Sequence, residues 1–242
     1  MYKNKSFIAI VPARSGSKGL PDKNIKDLLG KPLLSWSVDV ALECDYIDEV
    51  IVSTDSTYYA EIAKKYGANV PFIRPAEFAT DTASRKDVIK HALDFFTGQG
   101  KNFDYIVFLE PTSPLRTVDD LNKAIEELVD NTRDAEAIVG ISMLESFHPA
   151  FLVKLKNGFL DFLEDAQKST VLRRQDLEKF YFYEGSLYIS EVDKYLQKEF
   201  YHDKTLGYVV PRWKSLEIDE IEDFIMIEAL MKYKGYKNDL SK

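Results

Sequence analysis

Residues 12–24 read Pro-Ala-Arg-Ser-Gly-Ser-Lys-Gly-Leu-Pro-Asp-Lys-Asn and follow directly on the apolar run Phe7 to Val11. Gly16 and Gly19 let a backbone come close to a ligand. Arg14, Lys18 and Lys23 place positive charge beside the loop's amide groups. That chemistry suits a polyanion, a triphosphate first of all. A solvated turn has the same composition, so the loop alone leaves both readings open. It is neither G-x-x-x-x-G-K-[ST] nor G-x-G-x-x-G, because position 14 is Arg.

Other clusters carry chemistry of their own. In Glu217-Ile218-Asp219 the two acids stand at i and i+2, which on a strand points both to one face. Two carboxylates with substrate phosphates and water are a usual way to hold Mg²⁺. Alternatively Asp219 caps the last helix and Glu217 is solvated. Thr80 to Arg85 is a polar helix start, suited to capping or to contacts with a base or sugar. Glu110-Pro111-Thr112-Ser113-Pro114-Leu115-Arg116 is a proline-stiffened loop at a strand's end. Arg173 and Arg174 suit a carboxylate or phosphate, or surface ion pairs. His91, His148 and His202 have no metal or triad spacing. Cys44, the one cysteine, lies within a helical apolar pattern, which leaves nucleophilic covalent catalysis unsupported.

These residues need a scaffold, and the chain alternates strand and helix patterns over its first ~140 residues. Apolar runs at 7–11, 48–53, 104–109 and 137–143 read as strands, with short ones at 69–73, 186–190, 206–210 and 216–218. Helices are expected over 32–44, 57–66, 84–96, 118–130 and 219–233, the last with Ile221, Phe224, Ile225 and Met231 on its apolar side. The class is α/β, a mostly parallel sheet with helices on both faces. Near residue 143 the rhythm breaks into short apolar pairs with an Asn157-Gly158 hairpin signal, which reads as an inserted β-rich arm. A length of 242 residues and 45% hydrophobic content suit one such domain with an insert. The net charge of −8 and lack of a long basic run disfavour nucleic-acid or membrane-surface binding. No stretch approaches the ~20 apolar residues of a membrane span, and the expected location is cytoplasmic.

In order and spacing, Ile10 to Gly19, Lys23-Asn24, Ser53-Thr54-Asp55, Ala79 to Ser84, Pro111 to Arg116, Arg173-Arg174-Gln175, Gly185 to Ile189, Ile218-Asp219 and Asp223-Phe224 resemble the acylneuraminate (sialic acid) cytidylyltransferases, the CMP-sugar synthetases. The resemblance implies a Rossmann-like core at 1–142 and 183–242, with a dimerisation arm at 143–182. It implies a homodimer that couples CTP to a free nine-carbon 2-keto sugar acid, with Mg²⁺ or Mn²⁺. Carried over, Arg14, Lys23 and Asp219 are catalytic. Ala13, Arg14, Ser15, Gly16, Lys18, Lys23, Asn24 and Ser84 meet the nucleotide. Glu110, Arg173, Arg174, Gln175, Glu184 and Tyr188 meet the sugar, the two arginines being candidates for its carboxylate or for phosphates, in cis or in trans, and Asp219 with Glu217 holds the metal.

Three positions depart from the family's pattern. Glu110 stands for Gln, Glu184 for Asn and Glu217 for Asp. The first two replace a neutral amide with an acceptor-only anion near the sugar end. Anions there would repel a sugar carboxylate, which points to a related bacterial acid of the legionaminic type. Competing readings are a nucleotidyltransferase acting on a sugar 1-phosphate, a glycosyltransferase, and a degenerate nucleotide-binding protein. The glycosyltransferase reading lacks any Asp-x-Asp triplet.

Overall fold

The computed structural model describes residues 1–144, 148–162 and 177–236. Its strands are β1 (Phe7–Pro12), β2 (Asp27–Leu28), β3 (Lys31–Pro32), β4 (Glu49–Ser53), β5 (Tyr105–Phe108), β6 (Ala137–Met143), β7 (Val153–Lys156), β8 (Phe159–Phe162), β9 (Tyr181–Glu191) and β10 (Thr205–Val210). The α-helices are α1 (Leu33–Glu43), α2 (Thr57–Lys65), α3 (Arg85–Thr97), α4 (Val118–Asp130), α5 (Val192–Lys198) and α6 (Ile221–Tyr233).

Six strands form one sheet in the order β10-β6-β9-β5-β1-β4. All pairings are parallel except those of β9, which runs antiparallel to β5 and β6. The reversal brings the start of β9 to the edge where β5 and β6 end.

The continuous apolar reading of β1 follows from burial on both faces. Phe7, Ala9 and Val11 join a core covered by α1, α2 and α4. Ile8 and Ile10 face the other way, into a core covered by α3 and α5. A third cluster joins Leu28, Leu33, Trp36, Leu115 and Ile218 to Phe224, Ile227 and Met231 of α6. This last cluster seats the C-terminal helix beside the loop after β1.

Local chemistry sets the helix starts. Ser84 and Thr117 each accept from the backbone N–H three residues on, and Asp87 and Asp120 reach back to the cap residue's N–H. The expected helix at 118–130 forms with those bounds. At Asn157-Gly158 both residues take positive φ, 52° and 86°, as a tight two-residue turn between right-twisted strands requires. They join β7 to β8, an antiparallel hairpin whose described side chains are exposed.

Several expected elements form differently. Residues 69–73 make only an isolated bridge, Asn69 to Ile51. Residues 216–218 form no strand, since a single buried residue, Ile218, anchors them instead. The buried stripe of α6 is Phe224, Ile227 and Met231, while Ile221 and Ile225 are exposed. Among the described residues no helix is long and apolar enough to cross a membrane.

Candidate active site

A cavity of about 690 Å³ opens over the ends of β1 and β5, where open α/β sheets bind ligands. The loop after β1 forms one wall through Arg14, Ser17, Lys18, Gly19, Lys23 and Asn24. Neighbouring strands shape it. Ala13 N–H donates to Ser53 O at 2.9 Å, and Ser15 donates from N–H at 2.9 Å and from Oγ at 2.8 Å to Asp55. Asn24 Nδ2 donates to Arg14 O at 3.0 Å. Of the expected nucleotide contacts, Arg14, Lys18, Lys23, Asn24 and Ser84 line the cavity. Ala13 is buried, and the Ser15 amide is committed to Asp55 rather than offered to a ligand. With Gly16, these residues form the loop's frame.

Asp81 bridges two of the cations. Arg14 Nη1 lies 2.7 Å from Oδ1, and Lys18 pairs with Oδ2. Hydrogen bonds from Lys18 and Arg14 hold the Asp81 carboxyl below the usual carboxylate range. An entering triphosphate therefore has a carboxylate to displace or share.

Arg74 also lines this wall, with no motif in the sequence to mark it. It is 4% exposed, and its Nε and Nη2 are buried without hydrogen-bond partners. Burial lowers its pKa, partly offset by Asp55. A buried guanidinium with unmet donors beside a cation-lined cavity is an anion receptor in waiting. Arg74→Met is expected to raise the Kd for CTP by about tenfold or more while the unfolding midpoint holds or rises, since a buried unpaired charge is costly. Titration calorimetry and thermal melts read both quantities. Unchanged CTP affinity would remove Arg74 from the site.

The opposite wall comes from the chain's far end. Lys23 Nζ donates to Ile218 O at 2.7 Å and lies 3.0 Å from Asp219 Oδ1. Ile218 N–H donates to Thr112 O at 2.8 Å, and its fully buried side chain fixes the segment. Gly19 packs against the same segment, where a Cβ would stand 2.6 Å from Asp219 O.

Glu217 does not share the cavity face with Asp219, contrary to expectation. No strand forms there to impose the i, i+2 rule, and Glu217 Oε1 accepts from Gly185 N–H at 2.6 Å. Burial, then Glu110, raises its pKa. Its place is beneath β9, as a support for Gly185.

The sugar end also differs from expectation. Glu110 lines the cavity, but not as a lone anion, since its Oε1 is 3.1 Å from Arg85 Nη2. Arg116 fixes the backbone of Glu110, donating from Nη2 to Glu110 O and from Nη1 to Ser37 Oγ at 3.1 Å. Burial pushes Arg116 down to about 10. The terminal Arg of the Pro-Thr-Ser-Pro-Leu-Arg run is thus a buried clamp. Tyr188 is buried behind Glu110, its ring centroid 4.2 Å from the Arg85 guanidinium carbon. Arg173, Arg174 and Gln175 lie outside the described residues.

Glu184 is 1% exposed and turned away from the cavity. A register shift between Val139 and Ile141 folds it over Gly140, where a Cβ would lie 1.6 Å from Glu184 Oε1. Ser186 donates to it from N–H at 3.1 Å and from its hydroxyl. Burial raises its pKa from 4.5 to about 7 against those hydrogen bonds.

The folded state therefore holds the Glu184 proton more tightly than the unfolded chain does. Its contribution is fully present below pH ~4.5 and is lost as pH rises through ~7, on the order of 3 kcal/mol. Glu184→Gln is expected to stabilise the protein at pH 8, with the gain vanishing near pH 4.5. Urea denaturation across pH measures this, and parallel profiles for the two proteins would contradict the assignment.

The α/β sheet thus carries, over its strand ends, a cavity where Arg14, Lys18, Lys23, Arg74 and Arg85 meet the carboxylates of Asp81, Glu110, Asp219 and Glu220. A match to the cytidylyltransferase family spans residues 8–238, and the chain belongs to that family. It is 34% identical over 227 residues to a pseudaminic acid cytidylyltransferase of Campylobacter jejuni, covering 93% of this chain and 96% of that one. It is 33% identical over 239 residues to a CMP-N,N'-diacetyllegionaminic acid synthase of Legionella pneumophila, with 93% and 96% covered. An N-acylneuraminate cytidylyltransferase of Streptococcus agalactiae is 37% identical over 224 residues, or 91% of this chain. The chain spans about half of that relative's length, 52%. In fold it is similar to a CMP:2-keto-3-deoxy-manno-octonic acid synthetase complexed with CTP, with a TM-score of 0.68 and 16% identity, covering 95% of this chain and 99% of that one.

Proposed function

We propose that this chain couples CTP to a free nine-carbon 2-keto sugar acid, giving the CMP-sugar and pyrophosphate. The sugar's anomeric oxygen forms the new bond to the α-phosphorus, the bond to the β-phosphate oxygen breaks, and the hydroxyl proton passes to solvent. The observation that carries this reading is the wall of Arg14, Lys18, Lys23 and Arg74 in a chain of net charge −8. Cations concentrated against the overall charge fit a triphosphate, and the three relatives are all named for CMP-sugar acid synthesis.

Catalysis in this reading is positioning and charge neutralisation. Arg14, Lys18 and Arg74 bind the nucleotide's anionic end. Lys23 stands between the triphosphate wall and Asp219, where it can follow charge onto the departing pyrophosphate. Asn24 and Ser84 edge the cavity as polar contacts for the nucleotide. The Asp219 side chain is 76% exposed at the cavity, so its carboxylate fits a divalent cation such as Mg²⁺ or Mn²⁺ held jointly with phosphate oxygens. Such an ion, when bound, neutralises phosphate charge. Glu217 stands outside the cavity lining with its Oε1 accepting from Gly185, so in this reading Asp219 is the protein's ligand. A cytoplasmic site of action goes with the supply of CTP.

The arm is proposed to seat a second copy of the chain, with Arg173 and Arg174 as candidates to meet the partner's sugar. Leu155 and Phe159 on the β7–β8 hairpin are 75% and 78% exposed, which is unusual for large apolar side chains kept in water. Leu155→Asp with Phe159→Asp is expected to turn a dimer into a monomer in sedimentation velocity. A monomeric unmodified protein would refute the arm's role.

Divalent-cation-dependent pyrophosphate release tests the function. Release is expected with CTP and a free sugar acid, and not with GTP or with a sugar 1-phosphate. Turnover of sugar 1-phosphates in preference to sugar acids would overturn it.

A further inference from the structure

The two ends of the cavity differ in charge. On the β1–β4 side stand Arg14, Lys18 and Arg74 with Asp81 between the first two, three positive charges to one negative. On the β5–β9 side stands one ion pair, Arg85 with Glu110. Arg85 opens α3 and Glu110 follows β5, so their meeting is tertiary. The guanidinium carbon is held over the Tyr188 ring at 4.2 Å, with the Phe108 ring at 5.5 Å and the Phe200 ring at 6.0 Å. The Glu110 backbone is fixed in turn by Arg116 and Ser37. Both members of the pair remain partly exposed to the cavity. The wall therefore presents a fixed anion with a fixed counter-charge. Glu184, the other acid expected at this end, is turned into the protein.

We infer that Arg85 is a specificity-determining residue: by cancelling the charge of Glu110 it makes this wall admissible to an acceptor that carries a carboxylate. The inference rests on the proposed function and names the feature that lets that site take an acid. Glu110 alone would repel an anionic acceptor. The pair offers it a net-neutral surface. Arg85 thus acts through charge and position, with no part in bond making.

The test is a four-member cycle of unmodified protein, Arg85→Met, Glu110→Gln and the double variant. KM for the sugar acid and kcat are measured at saturating CTP, and the Kd for CTP is measured without acceptor. At roughly 6 Å and an effective dielectric constant near 20, an uncompensated unit charge changes affinity by on the order of 100-fold. Arg85→Met is expected to raise KM for the acid by about that factor, with kcat and the CTP Kd little changed. Adding Glu110→Gln to Arg85→Met is expected to recover most of the loss, which a merely structural role for Arg85 would not produce. Arg85→Lys keeps the charge and is expected to stay closer to the unmodified protein. A double variant as poor as Arg85→Met, or loss of CTP binding in Arg85→Met, overturns the inference. If the unmodified protein binds CTP but uses no sugar acid, the proposed function itself fails, and this inference with it.

Discussion

Lys23→Met is expected to lower kcat by about 10²–10³-fold while the protein stays folded. The Lys23 side chain is only 12% exposed, and its ammonium touches both Ile218 O and Asp219 Oδ1. It is the cation that joins the loop after β1 to the segment before α6. Methionine keeps the packing of the stem and removes the charge. The stability lost with the bond to Ile218 O should be about 1 kcal/mol, typical of one hydrogen bond. Charge neutralisation at the leaving group, in contrast, acts most strongly in the transition state. Steady-state kinetics at saturating CTP, alongside a denaturation curve, separate the two effects. A fall confined to KM, with kcat unchanged, would mean that Lys23 only binds ground-state nucleotide.

Gly19→Ala is the second large effect expected, about a 10²-fold loss in kcat/KM. The added methyl would sit 2.6 Å from Asp219 O and 3.6 Å from Asp219 C, closer to the oxygen than van der Waals contact allows. The clash is with backbone, so no side-chain rotation relieves it. Ile218 is fully buried and bonded to Thr112 O, which leaves the loop after β1 as the part that yields. Its movement would carry Lys23 away from Asp219, and displacements near 1 Å at a reacting centre cost on this scale. Gly16 is the control, because a Cβ there meets nothing within 4 Å. Equal losses from Gly16→Ala and Gly19→Ala would show that loop flexibility, not the Asp219 contact, sets the activity.

Much of the frame was legible in the chain itself. Strands buried on both faces and capping residues such as Ser84 and Thr117 leave local signals, and the expected helix at 118–130 and strand at 137–143 form as read. The loop after β1 was legible because its glycines and cations follow a buried strand. Arg74 was not, since it reaches the cavity through one long-range backbone bond, its N–H to Thr54 O at 2.7 Å. The pairing of Arg85 with Glu110 was equally hidden, because each residue looks like ordinary helix-start or loop chemistry. Glu184 and Glu217 are legible as residues but not as positions. The family resemblance carried Glu184 to the sugar and the i, i+2 spacing carried Glu217 to the metal, but the irregular pairing of β9 turns Glu184 inward and gives Glu217 to the Gly185 amide. Residue type names the chemistry available, and sheet register decides where it points.

In the proposed function, the cavity over β1 and β5 transfers the nucleotide's α-phosphate to a sugar acid. Following CTP labelled at the α-phosphorus, with a sugar acid and Mg²⁺ present, tests it most directly. The label is expected in a CMP-sugar, with unlabelled pyrophosphate released in equal amount. Label recovered as free CMP, or CTP left intact beside every sugar acid offered, would contradict the account.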